Sequence, residues 1–453
     1  MATTTAGGLQ LSLPPPSFRH RSIRAALSKQ GHRFLTSIAT AGADDPATAD
    51  RLIRRFVASS SRSVALDAIS HLISPSNTSS SFSRLSPLAF NLYSTISRTS
   101  WFSWNAKLIA DVIASLCKHQ RFDEAQTLVS EVETKLGNKE RDLCNFYCNL
   151  IDSHSKHRSK QGIFDSYERI NQLPSHSSST YLKKRSYESI IGGLSVIDLP
   201  HEAETFMVEM KNKGLRPSVF EYRSLSYAYG RLGLFEDMKR VICLMEDEGF
   251  ELDVVSSNMV ISSLGSHNEL KEMVLWVQRM KNLKIPFSIR TYNSVLNHCP
   301  TIMSIVEHPK GIKPTSLEAL FQILNDDECD LIRELVGSSV LAESMELTFV
   351  ELKVDLHGMH LGCAYLILLE WFDDVIRRYV RNNEVIPNKV TLVCGAGKHS
   401  VIRGESPIKG LVKEILIQMK SPLKIDRKNV GCFVANGKVF INWLCEISKT
   451  SPC

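Results

Sequence analysis

Apolar residues recur with helical spacing in the middle of the chain. One run places its apolar side chains at i, i+3, i+4 and i+7, on one face of a helix: Tyr187, Ile190, Ile191 and Leu194. After a break at 198–200, a second run through Ala203, Phe206 and Met210 continues to Gly214, a residue type that often ends a helix. The pattern predicts a helical hairpin.

The same pattern returns every 35 residues. Two independent columns have this spacing, Tyr187, Tyr222, Ser257 and Tyr292 in the first helix and Met210, Met245 and Met280 in the second. Neither helix can bury its apolar stripe alone, so successive hairpins must stack on one another. We therefore expect an α-solenoid with a continuous core and a concave face.

The repeated residues resemble the pentatricopeptide repeat. The segments "RSYESIIGGLSVIDLPHEAETFMVEMKNKGLRPS" and "RTYNSVLNHC" have its early aromatic residue, its helix-ending "M..KG..P" and its 35-residue length. The resemblance covers residues 106–323 and is most regular over 184–300, while residues 44–105 are expected to form a degenerate helical region or a cap. The 34-residue tetratricopeptide repeat, which binds peptides, is disfavoured by the three consecutive spacings of 35.

This resemblance implies that each repeat reads about one base of single-stranded RNA with two or three side chains. In the family, the residue after the aligned Tyr and the last residue of the repeat face the base. The corresponding residues here are Glu188 with Ser218, Arg223 with Asp253, Asn258 with Ser288, and Asn293 in a degenerate last unit. The pair Asn258 and Ser288 resembles pyrimidine-reading combinations, whereas Glu188 and Arg223 depart from the family pattern.

The periodicity changes after an acidic stretch, and residues 324–345 are expected to be a linker. Beyond it the chain predicts a strand at 353–357, a helix at about 360–382, a strand ending in the glycine loop of "KVTLVCGAGKHS", and a helix at about 407–419. The last segment, "VGCFVANGKVFINWL", predicts a hairpin with an Asn436-Gly437 turn. The order βαβαββ indicates a small two-layer α/β domain at 346–453.

Two motifs of this domain resemble the small-MutS-related (SMR) domain, whose signatures are L-D-x-H and T-G-x-G. Here they read Val354-Asp355-Leu356-His357 and Cys394-Gly395-Ala396-Gly397. The resemblance makes Asp355 and His357 candidate catalytic residues of an endoribonuclease. Cys394 in place of Thr removes a hydroxyl from the loop, so the sequence leaves activity open.

The chemistry of this pair follows from its spacing. Residues two apart on a strand project to the same face, where a carboxylate and an imidazole can activate a water or a ribose 2′-OH, or hold a divalent ion such as Mg²⁺ near a phosphate. The sequence does not choose between these nucleophiles, and it leaves a metal cofactor open.

The glycine loop is a candidate phosphate-binding element. Gly395 and Gly397 let backbone N–H groups approach an anion closely. Nearby residues supply positive charge: Lys398, His399, Arg403, Lys409 and Lys413. Residues 351–453 carry 15 Lys and Arg against 10 Asp and Glu, whereas residues 44–350 carry 34 against 38. Attraction to phosphate should therefore be strongest in the C-terminal part.

The first 43 residues contain no Asp or Glu and are rich in Ala, Ser and Thr, with five basic residues: Arg19, Arg21, Arg24, Lys29 and Arg33. This composition is typical of a transit peptide, and residues 23–26 resemble a stromal processing site. A chloroplast location is favoured, with the mitochondrion as the alternative. No apolar stretch has the roughly 18 residues that a transmembrane helix needs. The eleven cysteines form no CxxC pair, so neither structural zinc nor a disulfide framework is expected.

Three functions are compatible with these features. The first is an organellar RNA-binding protein for transcript processing or stabilisation, whose SMR domain cuts RNA. The second binds RNA without cutting it. The third is a scaffold in a plastid gene-expression complex, with proteins or DNA as partners, which the acidic balance of residues 44–350 motivates.

Overall fold

The computed structural model describes residues 27–41, 45–74, 83–176, 178–308, 315–382, 384–397 and 406–450. The chain divides into two compact units, Met1–Leu232 and Gly233–Cys453. Residues 1–26 of the expected transit peptide, with its processing site, lie outside the described residues, as do Lys398, His399 and Arg403. Within the described ranges, no helix is long and apolar enough to cross a membrane.

The first unit is helical. Its helices are α1 (Lys29–Ala41), α2 (Pro46–Ser59), α3 (Arg62–Ile73), α4 (Ala89–Ser97), α5 (Ala106–Lys118), α6 (Phe122–Leu136), α7 (Glu140–Lys156), α8 (Lys160–Asn171), α9 (Thr180–Val196), α10 (Pro200–Asn212) and α11 (Val219–Arg231), with a 3₁₀ helix at Ser83–Leu88. From α5 to α10 they form consecutive hairpins, which confirms the predicted helical-repeat architecture.

A left-handed turn joins the two helices of each of these hairpins. Gln120, Arg158 and Asp198 follow α5, α7 and α9 with φ of 60°, 56° and 64°. The N–H of the residue after each turn donates to a carbonyl five positions back, as from Leu199 N to Leu194 O at 3.0 Å. These bonds satisfy carbonyls that the helix end would leave unpaired. Asp198 also pairs with Arg158 of the preceding hairpin at 2.7 Å.

Helix α1 lies within the segment whose composition is typical of a transit peptide. Lys29–Ala41 is a packed helix. Its Leu35 and Ile38 are fully buried, and the ring of Phe34 stacks on Phe56 of α2 with centroids 3.8 Å apart. Apolar side chains at i, i+1 and i+4 give this basic segment one face that the core buries.

The second unit joins further hairpins to a small sheet. Its helices are α12 (Phe235–Asp247), α13 (Val254–Ser266), α14 (Leu270–Asn282), α15 (Ile289–Leu296), α16 (Pro300–Glu307), α17 (Leu317–Phe321), α18 (Asp326–Leu335), α19 (Ser339–Ser344), α20 (Leu361–Val375), α21 (Pro407–Gln418) and α22 (Gly437–Thr450), and α20 continues as a π-helical turn at Ile376–Arg381. Its strands are β1 (Met345–Leu347), β2 (Glu351–Asp355), β3 (Lys389–Val393), β4 (Lys424–Ile425) and β5 (Cys432–Asn436).

The strands lie in the order β1-β2-β3-β5-β4. Strands β2 and β3 are parallel, with Asp355 opposite Val393, and the other pairs are antiparallel. Leu352 and Val354 of β2 are buried, whereas the alternate positions are partly exposed. The sheet therefore has an apolar face against helices and a polar face that carries Asp355.

Residues 324–345 are not the linker that the sequence predicted. Helix α18 packs along α14, with Lys281 and Glu334 paired at 2.7 Å. The buried carboxylate of Glu328 accepts from the backbone N of Thr301 at 2.8 Å and caps the start of α16. Leu331, Ile332 and Leu335 give α18 an apolar stripe that requires burial, so this acidic segment belongs to the folded core.

Helix α20 is buried on nearly all sides, from Gly362 to Phe372 without interruption. It packs against α15 and α16 as well as α21. The approach to α15 is close, because a Cβ added to Gly362 would lie 3.1 Å from Leu296 Cβ and 3.2 Å from Ile302 Cγ2. The last repeat helix and the sheet region therefore share one core.

A buried polar cluster closes this core. The hydroxyl of Tyr292 lies 2.6 Å from Leu335 O, 3.0 Å from Ser338 Oγ and 3.3 Å from Glu370 Oε1. Glu370 also accepts from the backbone N of Gly337 at 3.4 Å. Burial raises the pKa of Glu370 to about 7, and the hydrogen bonds from Gly337 and Tyr292 oppose this rise.

The expected hairpin at Asn436-Gly437 is wrong. Strand β5 ends at Asn436 and α22 begins at Gly437, where Phe440, Ile441 and Leu444 form a buried stripe. The Asn436 side chain accepts from Lys438 N at 3.1 Å, as a helix cap does. Strand β5 pairs instead with β4, so the order βαβαββ is present with a different last strand pair and is extended by β1 and α22.

We predict that Gly437→Ala strongly destabilises the second unit. A Cβ at this position would lie 1.7 Å from Pro387 O, so the backbone must move at a cost of about 2–3 kcal/mol or more. Gly410→Ala is the matched control, since Gly410 is helical, exposed and has no atom within 4 Å of its added Cβ; it should gain about 0.5–1 kcal/mol. Thermal unfolding of the full chain measures both, and equal midpoints would contradict the close contact.

We also predict that Glu370 makes the second unit less stable as the pH rises. Its pKa is raised from 4.5 to about 7, so its contribution is complete below pH 4.5 and is lost as the pH approaches and passes 7. The loss is of the order of 3 kcal/mol. Urea unfolding at pH 5 and pH 8 measures the free energy of unfolding of both proteins. From pH 5 to pH 8, Glu370→Gln should become more stable relative to the unmodified protein. A difference between the two proteins that does not change with pH would contradict this role of Glu370.

Candidate nucleic-acid interface

The C-terminal end of β2 carries the Asp355 and His357 pair. Asp355 Oδ1 accepts from the backbone N of His357 at 3.0 Å and contacts its ring Nδ1 at 2.7 Å. An ionised carboxylate only accepts hydrogen bonds, so in the neutral imidazole this contact places the proton on Nδ1 and leaves the lone pair on Nε2. The His357 side chain is 68% exposed. This geometry presents an oriented proton acceptor to solvent.

The glycine loop lies beside this pair. Because β2 and β3 are parallel, their C-terminal ends lie at the same edge of the sheet, and Leu356 N donates to Val393 O at 2.8 Å. Gly395 and Gly397 have φ of 79° and 68°, which glycine adopts readily. A Cβ on Gly395 would lie 3.5 Å from His357 Cβ. The structure thus brings Asp355, His357 and Gly395 together.

Two residues that the sequence analysis did not select support the loop. Gly431 O accepts from Cys394 N at 2.8 Å, and a Cβ on Gly431 would lie 2.8 Å from the carbonyl carbon of Gly395. Ser406 Oγ donates to Cys394 O at 3.0 Å and also caps α21. The sequence signal that could have identified Gly431 is its position immediately before the strand β5.

The Cys394 side chain cannot replace a hydroxyl at the loop surface. It is buried, and burial raises the pKa of its thiol well above the usual range. Cys394 therefore acts as a neutral, apolar contact under the loop.

Two of the basic residues predicted near the glycine loop, Lys409 and Lys413, fall within the described ranges, and both lie on α21. Lys409 follows the Ser406 cap in the first turn, where its backbone N donates to Ser406 Oγ at 3.3 Å, and Lys413 is exposed one turn later. In the described ranges, no three His, Cys, Asp or Glu side chains are arranged to hold a metal ion. Asp355 would give Mg²⁺ a single carboxylate, and this ion commonly uses one or two carboxylates together with substrate phosphates.

Asn258 on α13 differs from the other predicted base-reading residues. It is 9% exposed, and neither its Oδ1 nor its Nδ2 has a hydrogen-bond partner. A buried carboxamide without partners is costly to the folded protein. Its predicted companion Ser288 accepts from Thr291 N at 3.3 Å and caps α15. Asn258 therefore has hydrogen-bonding capacity that no contact within the described protein uses.

The predicted pair in the first unit is engaged within the protein. Glu188 is paired with Arg185 at 2.6 Å. Ser218 forms a capping box with Glu221 at the start of α11. Arg223 of α11 is buried. In the second unit, Asp253 accepts from Ser256 N at 2.9 Å and caps α13. Glu188, Ser218 and Asp253 therefore each have a partner within the protein.

Asn293 also contacts protein. Its Oδ1 accepts from His360 N at 3.1 Å, and Asn297, one turn later, lies with its Nδ2 2.7 Å from His360 Nδ1. The sequence analysis missed Asn297 and His360. These contacts join residues 63 and 67 positions apart, and neither residue belongs to a motif.

The stacked hairpins with 35-residue spacing define a helical-repeat protein. The PPR repeat family model matches residues 185–215, 222–250 and 255–285. The Arabidopsis thaliana pentatricopeptide repeat-containing protein At2g17033 is 48% identical over 429 residues, which are 94% of this chain and 84% of that protein. The chain belongs to the pentatricopeptide repeat family, which confirms the resemblance found in its repeats.

Other similar proteins are more distant. The chloroplastic pentatricopeptide repeat-containing protein ATP4 of Zea mays is 21% identical over 270 residues, covering 57% of this chain and 39% of that protein. The crystal structure of maize PPR10 is 15% identical with a TM-score of 0.37 and covers 85% of this chain and 46% of that one. Its complex with an 18-nt psaJ RNA element has a TM-score of 0.25 and covers 59% and 48%.

Proposed function

We propose that this protein binds single-stranded RNA in an organelle and acts in transcript processing or stabilisation. The observation that carries the proposal is the buried Asn258 carboxamide, whose two polar atoms lack partners. Repeats of this family read a base with a few side chains, and an unpaired carboxamide can both donate to and accept from a base edge. RNA binding gives this costly feature a physical reason.

An organellar location is supported by relatives. ATP4 of Zea mays and At3g09650 of Arabidopsis thaliana are both described as chloroplastic. The acid-free composition of residues 1–43 is consistent with import. Chloroplast remains the favoured compartment and mitochondrion the alternative.

We further propose that the C-terminal sheet region is an SMR domain that cleaves RNA. His357 Nε2 would remove a proton from a water or a ribose 2′-OH as that oxygen forms a bond to phosphorus and the bond to the leaving oxygen breaks. Asp355 holds the ring and stabilises the imidazolium that forms. The N–H groups of the glycine loop would bind the phosphate oxygens. A divalent ion bound at Asp355, if required, would supply charge stabilisation.

A second candidate function is binding without cleavage. The buried Cys394 favours it, because the loop lacks the hydroxyl that the family motif would place there. The third candidate, a scaffold for proteins or DNA, rests on the acidic balance of residues 44–350.

We predict that Asn258→Ala weakens RNA binding while leaving the fold intact. Losing the side-chain contacts to one base should reduce affinity about 5- to 50-fold. Removing a buried unpaired carboxamide should leave stability unchanged or higher. Binding to a randomised single-stranded RNA pool at fixed salt, followed by sequencing, measures affinity and base preference. Ser266→Ala, an exposed change on the same helix, is the control. Equal affinities for Asn258→Ala and the control would reject Asn258 as a base contact.

Asp355→Asn and His357→Gln are expected to abolish cleavage and to leave RNA affinity within about twofold. Loss of a general base or of its orienting carboxylate typically lowers such rates by a factor of about 10²–10⁴. Sequencing of new 5′ ends after incubation of organellar RNA with full-length protein, with and without Mg²⁺, measures this effect. Bound RNA without new ends from the unmodified protein would establish the non-cleaving function. Cleavage that persists in both variants would place the nuclease elsewhere.

A further inference from the structure

Helix α15 makes a direct contact with the segment that follows the Asp355 and His357 pair. Asn293 on α15 and Asn297, the C-cap residue of this helix, lie one turn apart, and both contact His360, the N-cap residue of α20. The His360 side chain caps no N–H of its own helix. Asn293 Oδ1 instead accepts a hydrogen bond from the backbone N–H of His360, and Asn297 contacts the His360 ring.

These two bonds fix one end of a short segment. Leu356, at the other end, is bonded to Val393 of β3 through its backbone N. Between them lie His357, Gly358 with φ of 80°, and the buried Met359. A segment this short that is held at both ends has little freedom to move. The place of His357 therefore depends on α15 as well as on the sheet.

The start of α20 is also held sterically. A Cβ added to Gly362 would lie at contact distance from the Cβ of Leu296 and the Cγ2 of Ile302. Leu296 lies between Asn293 and Asn297 in sequence. Polar and apolar contacts from one face of α15 thus act together on the first turn of α20.

Asn293 occupies the base-reading position of its repeat, 35 residues after Asn258. The two asparagines differ in their surroundings: Asn258 has no partner, whereas the carboxamide oxygen of Asn293 accepts a backbone hydrogen bond. A bond to His360 and a bond to a base edge would compete for the same oxygen.

We propose that Asn293 and Asn297 are positioning residues for the site at Asp355 and His357, and that the last repeat reads no base. The inference rests on the proposed function in taking this pair as the site. The array of reading positions then ends at Asn258, and the helix that would continue it holds the β2–α20 connection in place.

Hydrogen exchange of the full chain tests the contact without RNA. Asn293→Leu removes the acceptor at similar size, whereas Asn293→Asp keeps an acceptor oxygen. Exchange in a peptide spanning residues 356–364 should be roughly 3- to 10-fold faster in Asn293→Leu, as expected for one lost hydrogen bond, and should return to the original rate in Asn293→Asp. Asn258→Ala should not change it. Equal exchange in all variants would overturn the proposal.

A spectroscopic signature separates positioning from simple helix capping. The imidazole resonance of His357, identified in histidine-labelled protein by its absence in His357→Gln, should shift in Asn293→Leu and recover in Asn293→Asp. Faster exchange with an unchanged His357 resonance would show that Asn293 caps α20 without affecting His357. That result would overturn the positioning role.

RNA selection tests the second half of the proposal. With the randomised pool, Asn258→Ala should lose preference at one base position, whereas Asn293→Leu should retain the preferences of the unmodified protein. Loss of a further base preference in Asn293→Leu would make Asn293 a reader and overturn the proposal. If the unmodified protein binds no RNA, the proposed function fails, whereas the exchange and resonance results still decide whether α15 positions His357.

Discussion

Helix α20 is apolar around nearly its whole circumference, and the second unit is organised by the need to bury all of it. A helix at the surface of a two-layer α/β domain needs only one apolar face. Here α21 and Phe440 of α22 pack against α20, and so do the repeat helices α15 and α16. Removing either neighbour would expose a large apolar surface, so the repeats and the sheet of this unit depend on each other for stability.

This shared core explains where the polar groups of the region are found. Tyr292 and Glu370 meet inside it, and each has hydrogen-bonding partners because unpaired polar atoms are costly there. Asn293 and Asn297 meet His360 at its edge, next to the site. Asn258 lies on a preceding repeat helix, is buried, and its side-chain polar atoms lack partners. The contrast distinguishes polar residues that join parts of the protein from one whose hydrogen-bonding groups are unused within it.

The features that the sequence predicted well depend on short spacings. The 35-residue columns identified the hairpins because each hairpin repeats the same local pattern. The side chains of Asp355 and His357 do meet, but β2 ends at Asp355 and His357 lies in the turn after it, not on the predicted strand at 353–357. The Asn436-Gly437 dipeptide led to the wrong prediction of a hairpin, because residues that favour a tight turn can also cap a helix. Here Asn436 caps α22, and Gly437 lies close to Pro387. The acidic stretch around Asp326 concealed the apolar stripe of α18. The contacts of α15 with α20 had no local signal, since they join residues more than 60 positions apart.

The sheet order β1-β2-β3-β5-β4 also has a consequence for how the chain acquires its structure during synthesis. The hairpins of the first unit are made from neighbouring segments, so they can form as soon as each has left the ribosome. The sheet cannot, because β3 pairs on one side with β2 and on the other with β5, which begins only at Cys432. Until α22, which follows β5, is available, Trp371 of α20 lacks its contact with Phe440. The nascent chain is thus most prone to aggregation between the synthesis of α20 and that of α22, and this interval is where a chaperone would be most useful.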